Sequence, residues 1–161
     1  MTEVNKNTKK ICSFYASDWH LVTMLLPNID KKINEGEKVT TILENNINVE
    51  METLLERVQL KEKEKIMKIG WKKFEENNKE LENKIRENDY IIIVGKMNYI
   101  EKMNEIINKI NQETDKNITI LNCYDIEEVK NEVKDIINQH EKILNTLGEK
   151  DKEEYIIKVA K

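Results

Sequence analysis

The segment at residues 90–94 reads YIIIV and constrains the fold of this chain more than any other feature. Every position is apolar, a pattern typical of a strand that is covered on both faces. Further short strand candidates lie at residues 11–15, 38–43, 117–123 and 155–160, and long helical patterns separate them. This alternation predicts an α/β fold in three layers, with a mainly parallel central sheet and flanking helices.

Apolar residues with a period of 3.6 place helices between the strands. Ser17 or Asp18 is expected to cap the first helix, which Gly36 ends. Pro27 lies inside this helix and predicts a kink or an early break. Residues 48–88 form a long charged excursion, interpreted as two helices or as an arm projecting from the sheet and available for docking. Two later helical stripes follow: Ile100, Met103, Ile106, Ile107 and Ile110, then Val129, Val133, Ile136, Ile137, Ile143 and Leu144, with Gly148 as the stop.

Length and charge limit the function classes. The chain has 161 residues, which fits one domain, so we expect a flexible segment at residues 1–10 and a single α/β sensory domain at residues 11–161. Its 27 Lys and Arg against 31 Asp and Glu give a net charge of -4, which disfavours nucleic acid as a partner. Residues 1–10 hold no apolar signal region, and no apolar run is long enough to span a membrane. A cytoplasmic protein with no membrane partner is therefore expected.

The motifs of common α/β enzymes are missing from the sequence. The Walker pattern is absent, and Gly95-Lys96 lacks the earlier glycine and the Ser or Thr that would hold magnesium. A carboxylate at Asp18 would occupy the positive end of the first helix and repel a phosphate there. No G-x-S-x-G elbow or H-E-x-x-H helix is present, so His20 and His140 are the candidate near-neutral bases. His140 lies on an apolar stripe and is interpreted as a core histidine.

Two cysteines and two histidines could in principle form a metal site. Cys12, His20, Cys123 and His140 have the chemistry of a Cys2His2 set, but none of the usual close ligand spacings occurs. In a reducing compartment, two buried free thiols are the simpler interpretation. We therefore expect no metal and no cofactor.

Several segments share their order and spacing with a known family. They are CSFY at residues 12–15, LLP at 25–27, GEKV at 36–39, VGKMNY at 94–99, LNCYD at 121–125 and QHEKI at 139–143. Together they cover nearly the whole chain and resemble the MEDS domain, a sensory domain named for methanogens and methylotrophs. The resemblance implies a degenerate RecA/KaiC-like fold without a phosphate loop, in which residues 15–20 replace the Walker segment. It also implies a domain that senses a small molecule and passes the signal to a regulatory or kinase module.

We therefore predict a non-catalytic small-molecule-sensing domain of a signal transduction or transcription-regulation system. Because no helix-turn-helix or kinase segment follows before Lys161, output is expected through a homodimer or a separate regulatory protein such as a kinase or transcription factor. The ligand is expected to be uncharged or cationic and to bind at the carboxyl ends of the strands. The predicted ligand-binding residues are Tyr15, Ser17, Asp18, Trp19, His20, Met97, Tyr99, Tyr124 and Asp125.

Three alternatives remain open at the level of sequence. The pocket could be vestigial, leaving a surface that binds another protein. The chain could retain nucleotide binding without hydrolysis. Finally, His20 with Asp18 could serve a small hydrolase or transferase, because functional residues gather at such strand-to-helix turns in open α/β sheets.

Overall fold

The computed structural model of this chain describes residues 7–153. In this part of the chain, six strands form one sheet in the order β2-β3-β4-β1-β5-β6. All neighbouring strands run parallel except β6, which pairs antiparallel with β5. The strands are β1 Thr8–Tyr15, β2 Val39–Leu43, β3 Tyr90–Val94, β4 Ile118–Asp125, β5 Lys142–Asn145 and β6 Gly148–Asp151.

Helices connect the strands and cover both faces of the sheet. They are α1 Asp18–Asn34, α2 Asn48–Arg57, α3 Lys63–Ile69, α4 Asn78–Glu87, α5 Met97–Thr114, α6 Ile126–Val129 and α7 Val133–Asn138. One core cluster joins the sheet to α1, α2 and α3. The second joins the opposite face to α4, α5, α6 and α7. The three-layer α/β fold with a mainly parallel sheet is therefore confirmed.

Strand β3 consists of the apolar run at residues 90–94. All five residues are buried, and the strand has the predicted bounds. Tyr90, Ile92 and Val94 belong to the first core cluster, whereas Ile91 and Ile93 belong to the second. Successive side chains of a strand point to opposite faces, so a strand between two helical layers needs apolar residues at every position.

Helix α1 begins and ends where its sequence signals lie. Ser17 is the N-cap, as predicted, and its side chain accepts a hydrogen bond from the amide of His20. Gly36 follows the helix with φ of 91°, a conformation that glycine adopts without strain. The break predicted at Pro27 does not occur, since the helix continues through this exposed position. Buried residues on both sides of Pro27, Leu25 and Ile29 among them, hold the helix against the sheet.

The charged excursion at residues 48–88 packs against the domain, so the interpretation as a projecting arm is wrong. It contains three helices, α2, α3 and α4, of which α3 ends at the predicted break near Gly70. Met51 and Ile66 are fully buried in the first core cluster, and Ile85 is buried in the second. The charges lie on the outer faces of amphipathic helices whose apolar faces contact the core.

The helix predicted through Ile143 and Leu144 is wrong. These residues form the middle of β5 and pair with Cys12 and Ser13 of β1. Helix α7 stops before them at Asn138, and Gly148 starts β6 with φ of 105° instead of ending a helix. Because Ile143 and Leu144 are both buried and adjacent, they fit a buried strand and a helical stripe equally well by pattern alone.

The first strand starts earlier than predicted, and the last predicted strand cannot be compared with the structure. Strand β1 begins at Thr8, three residues before the predicted start, so residues 8–10 belong to the sheet. The strand predicted at residues 155–160 lies outside the described residues. Within residues 7–153, no helix has both the length and the apolar character needed to cross a bilayer.

Candidate functional site

The carboxyl ends of the parallel strands meet at one edge of the sheet, which we call the carboxyl edge. Tyr15 at the end of β1 pairs with Asp125 at the end of β4. Val94 at the end of β3 pairs with Leu43 at the end of β2. In open α/β sheets, ligands bind outside these strand ends. The residues that follow the strands therefore define the candidate site.

The turn between β1 and α1 is closed by hydrogen bonds between its own residues. The Ser17 Oγ accepts from the amide of His20 at 3.1 Å, and His20 Nδ1 accepts from the amide of Ala16 at 2.9 Å. Both amides are thereby occupied. Asp18 and Trp19 point outward, and the Trp19 side chain is 47% exposed. Ser17, Asp18 and Trp19 are thus exposed at the carboxyl edge, and His20 is half-buried there; their role in ligand binding stays a prediction.

Two carboxylates occupy the N-terminus of α5. The amide of Lys96 donates to Glu44 Oε1 at 2.8 Å, and the amide of Met97 donates to Glu128 Oε1 at 2.9 Å. Negative charge is stabilising at this end of a helix, where free amides and the helix dipole present positive charge. A phosphate placed here would compete with both carboxylates for the same donors.

Glu44 and Glu128 were missed by the sequence reasoning. Glu44 directly follows β2, and the rule that functional side chains follow strands at the carboxyl edge could have found it. Glu128 lies in the short helix α6 and carries no comparable signal. Its role arises because α6 places it beside α5, a contact between segments 31 residues apart.

Gly95 lies close to the side chains of Glu44 and Tyr99. A Cβ built on Gly95 would lie 2.8 Å from Glu44 Oε1 and 2.8 Å from Cδ2 of Tyr99. Such distances are shorter than ordinary van der Waals contact, so a larger residue would force these neighbours to move. The glycine therefore allows Glu44 and Tyr99 to pack over the turn between β3 and α5.

The acidic residues around Tyr15 give the carboxyl edge a negative charge. Burial, with the nearby carboxylates of Asp125, Asp18 and Glu128, raises the pKa of Tyr15. Asp125 Oδ1 also accepts a hydrogen bond from the amide of Glu127 at 3.0 Å and so caps α6. Tyr15 is only 8% exposed and belongs to the first core cluster, which makes it a packing residue beneath the edge.

Asp18 is part of the same acidic surface. Its pKa is raised by partial burial and by the negative charges of Glu50 and Asp125. Glu50 belongs to the first turn of α2, so two helix N-termini contribute carboxylates here. The carboxyl edge is thus chemically suited to a cation or to an uncharged group, and unsuited to an anion.

The remaining predicted residues divide between the edge and the core. Met97 and Tyr99 are half-buried on α5, and the Tyr99 hydroxyl has no hydrogen-bond partner among the described residues. Burial, with Glu44 and Glu76 nearby, raises the pKa of Tyr99 to about 12. Tyr124 lies on the other face of the sheet from Tyr15, in the second core cluster.

Tyr124 is surrounded by other rings. It stacks on Phe14 with ring centroids 5.8 Å apart and meets His140 edge-on at 6.2 Å. It is 4% exposed, so its ring serves the core. The structure therefore brings Ser17, Asp18, Trp19, His20 and Asp125 together at the ends of β1 and β4, but buries Tyr15 and Tyr124.

Two cavities of about 390 and 490 Å³ lie elsewhere in the molecule. The first is lined by residues beside β2 and the second by residues of α2 and α3, and neither touches any of the nine predicted ligand-binding residues. The carboxyl edge carries carboxylates and an exposed indole, whereas the first of these cavities lies next to β2 and is partly open to solvent.

The cysteines and histidines do not assemble into a metal centre. Cys12 and Cys123 are buried free thiols, and burial raises the pKa of each. Both ring nitrogens of His140 contact protein groups, Asn122 and the carbonyl of Ile136. Within residues 7–153, no group of three or more His, Cys, Asp or Glu side chains is placed to hold a metal ion.

Comparison with protein-family models, with curated proteins and with solved structures gave no match for this chain.

Proposed function

We propose that this chain is a non-catalytic small-molecule-sensing domain that acts through a separate protein partner. One observation carries the proposal: the amides at the carboxyl edge that would cradle a phosphate are bonded to Ser17, Glu44 and Glu128 of the chain itself. An α/β sheet of this kind keeps the usual place for a ligand, yet it offers carboxylates where a nucleotide needs donors.

The chemistry of the edge favours a cationic or uncharged ligand. Asp18 and Asp125 supply negative charge, and the exposed face of Trp19 can receive a cation through its ring quadrupole. The resemblance to MEDS sensory domains adds the role of passing a signal to a regulatory protein. The position of His20 also supports a non-catalytic role, because its Nδ1 bonds to the amide of Ala16 instead of to the carboxylate of Asp18.

Thermal unfolding with two opposed probes tests this proposal. Tetramethylammonium is expected to raise the melting temperature in a saturable way, and ATP with Mg²⁺ is expected to leave it unchanged. A ligand at 100 times its dissociation constant stabilises the folded state by about 2.7 kcal/mol, which is easily measured. Stabilisation by ATP with Mg²⁺ and none by the cation would contradict the proposal and favour retained nucleotide binding.

Variants locate the response. Trp19→Ala and Asp18→Asn should each reduce the shift caused by tetramethylammonium. Lys31→Ala serves as the matched control, because Lys31 is exposed in the last turn of the same helix α1. An equal response in all variants would place the binding of the cation elsewhere.

A second candidate function is protein binding by the same edge without a small ligand. It is favoured by the exposure of Trp19 and Val49, 47% and 60%, at the N-terminal ends of α1 and α2. Exposed apolar groups among carboxylates suit a partner with a basic surface. Native mass spectrometry of freshly purified protein distinguishes the two functions, since sensing predicts a retained small mass and protein binding predicts the bare chain or a protein complex.

A further inference from the structure

Strand β2 lies at one edge of the sheet, and residues 70–76 cover this edge instead of another strand. The amide of Phe74 donates to the carbonyl of Leu43 at 2.8 Å, and Thr41 Oγ1 donates to the carbonyl of Gly70 at 2.7 Å. Thr41, Gly70 and Phe74 also line the cavity of about 390 Å³, which we call the β2 cavity. Its volume lies within the range of roughly 300–1,000 Å³ that is usual for small-molecule sites.

The β2 cavity lies where the two helical layers meet at the edge of the sheet. Trp71 on its wall belongs to the first core cluster, and Phe74 belongs to the second. Both residues are buried, and the Trp71 indole already donates to the carbonyl of Ile66 at 2.8 Å. The two rings therefore offer apolar surface to the cavity. Met67 adds a flexible apolar side chain that is 40% exposed.

Lys84 of α4 brings a positive charge to the same cavity. Its Nζ donates to the carbonyl of Thr41 at 3.0 Å and to Thr40 Oγ1 at 3.3 Å, and it lies 5.6 Å from the centre of the Phe74 ring. Among residues 7–153, no carboxylate oxygen lies within 4 Å of this ammonium. The two groups that accept its hydrogen bonds and the ring beside it are neutral.

The burial of Lys84 makes this arrangement costly without an anion. Burial lowers the pKa of the ammonium, while the charge of Glu80 one turn earlier opposes that shift. Glu80, like Glu52, Glu75, Lys72 and Lys73, also lines the cavity, but all five are exposed to solvent. Exposed charges are screened by water, whereas a half-buried ammonium gains strongly from a direct anionic partner.

We propose that the β2 cavity binds a small amphipathic carboxylate, whose anionic group bonds to Lys84 Nζ and whose apolar part lies against Trp71, Phe74 and Met67. This site is separate from the carboxyl edge, prefers the opposite ligand charge and does not depend on the proposed function.

Calorimetric titration of the full chain with octanoate and with octanamide tests the proposal. Octanoate should bind saturably and roughly tenfold or more tightly than the neutral amide, since a charge-assisted hydrogen bond to Lys84 is available only to the carboxylate. The indole N–H signal of Trp71 in nuclear magnetic resonance spectra should shift along the same binding curve. Absence of saturable binding, or equal affinity for the two probes, would overturn the proposal.

Three variants on α4 refine the test. Lys84→Met keeps the length of the side chain and should abolish the preference for octanoate, whereas the exposed Lys79→Met on the same helix should retain it. Glu80→Gln removes a competing carboxylate at an exposed position and should tighten octanoate binding about two- to fivefold. Glu80→Gln keeps the site testable if Lys84→Met does not fold, and unchanged or weaker binding in that variant would count against the role of Lys84.

Discussion

His140 should lower the free energy of unfolding of this protein in acid, and one substitution at this position should remove the effect. Its side chain is 2% exposed, as expected for the core histidine predicted from sequence. The ring lies between two hydrogen bonds, with Nδ1 2.6 Å from the carbonyl of Ile136 and Nε2 3.0 Å from Nδ2 of Asn122. Because a carbonyl can only accept, Nδ1 carries the hydrogen and Nε2 accepts from the Asn122 amide.

Protonation of His140 would break this arrangement. A hydrogen on Nε2 would face the NH₂ group of Asn122, whose own oxygen already accepts from Asn104 Nδ2 at 2.9 Å. The network therefore holds the imidazole neutral. Burial, with the charges of Lys10 and Lys152, lowers the pKa of His140 from its ordinary 6.5 to about 4.

This shift fixes the direction and size of the effect on stability. Between pH 6.5 and 4 the unfolded chain binds a proton at His140 that the folded chain does not, so the free energy of unfolding falls as the pH falls. A difference of about 2.5 pKa units at 1.36 kcal/mol each gives about 3 kcal/mol, fully present above pH 6.5 and largely lost at pH 4. That is a large part of the 5–15 kcal/mol typical of a domain.

Urea unfolding at pH 7 and pH 4 measures this loss. Wild type should lose the contribution of His140 in addition to that of its carboxylates, whereas His140→Gln should lose about 3 kcal/mol less between the two pH values. His20→Gln, which removes the other histidine of the chain, should retain the steep dependence because His140 is still present. Identical losses in wild type and His140→Gln would refute the reasoning.

Other substitutions and reagents test the remaining contacts. Gly95→Ala should destabilise the protein by about 1–3 kcal/mol in urea unfolding, because the new Cβ would collide with the Tyr99 ring; unchanged stability would show that the turn has room. Ser17→Ala should cost about 1 kcal/mol through loss of the α1 N-cap, and no change by calorimetry would mean that water replaces the cap. Cys12 and Cys123 should react with a thiol reagent only after denaturation, since burial raises the pKa of both, and rapid labelling of the native chain would contradict their burial.

The sequence predicted those elements whose own side chains determine their burial. Strand β3 is apolar on both faces, and it was placed correctly because a run of only five residues, all aromatic or β-branched, favours a buried strand over a helix. Helix α1 likewise carries its N-cap at Ser17 and its stop at Gly36 within its own sequence. The helix break predicted at Pro27 was wrong, because packing of the buried residues on both sides stabilises the helix more than the one hydrogen bond lost at proline destabilises it.

Prediction failed where pairing between distant segments decides the structure. Residues 142–145 become a strand because β1 offers an open edge, and Cys12 and Ser13 pair with Ile143 and Leu144 across about 130 residues of sequence. The turn that follows depends on Asn145, whose Oδ1 accepts from the amide of Leu147 at 2.8 Å. An apolar pair at the end of a helical stripe carries no sign of that partner.

The candidate site shows the same division between local and distant information. The sequence placed Ser17, Asp18, Trp19 and His20 at the carboxyl edge because a turn after a strand is a local feature, and their role in ligand binding stays a prediction. Whether such a turn can hold a phosphate depends on which distant carboxylates reach the neighbouring helix. Glu44 and Glu128 reach α5 from positions 52 and 31 residues away, and they satisfy the amides that an anion would need. Two long-range hydrogen bonds therefore use the donors at the N-terminus of α5 on which anion binding at that helix would depend.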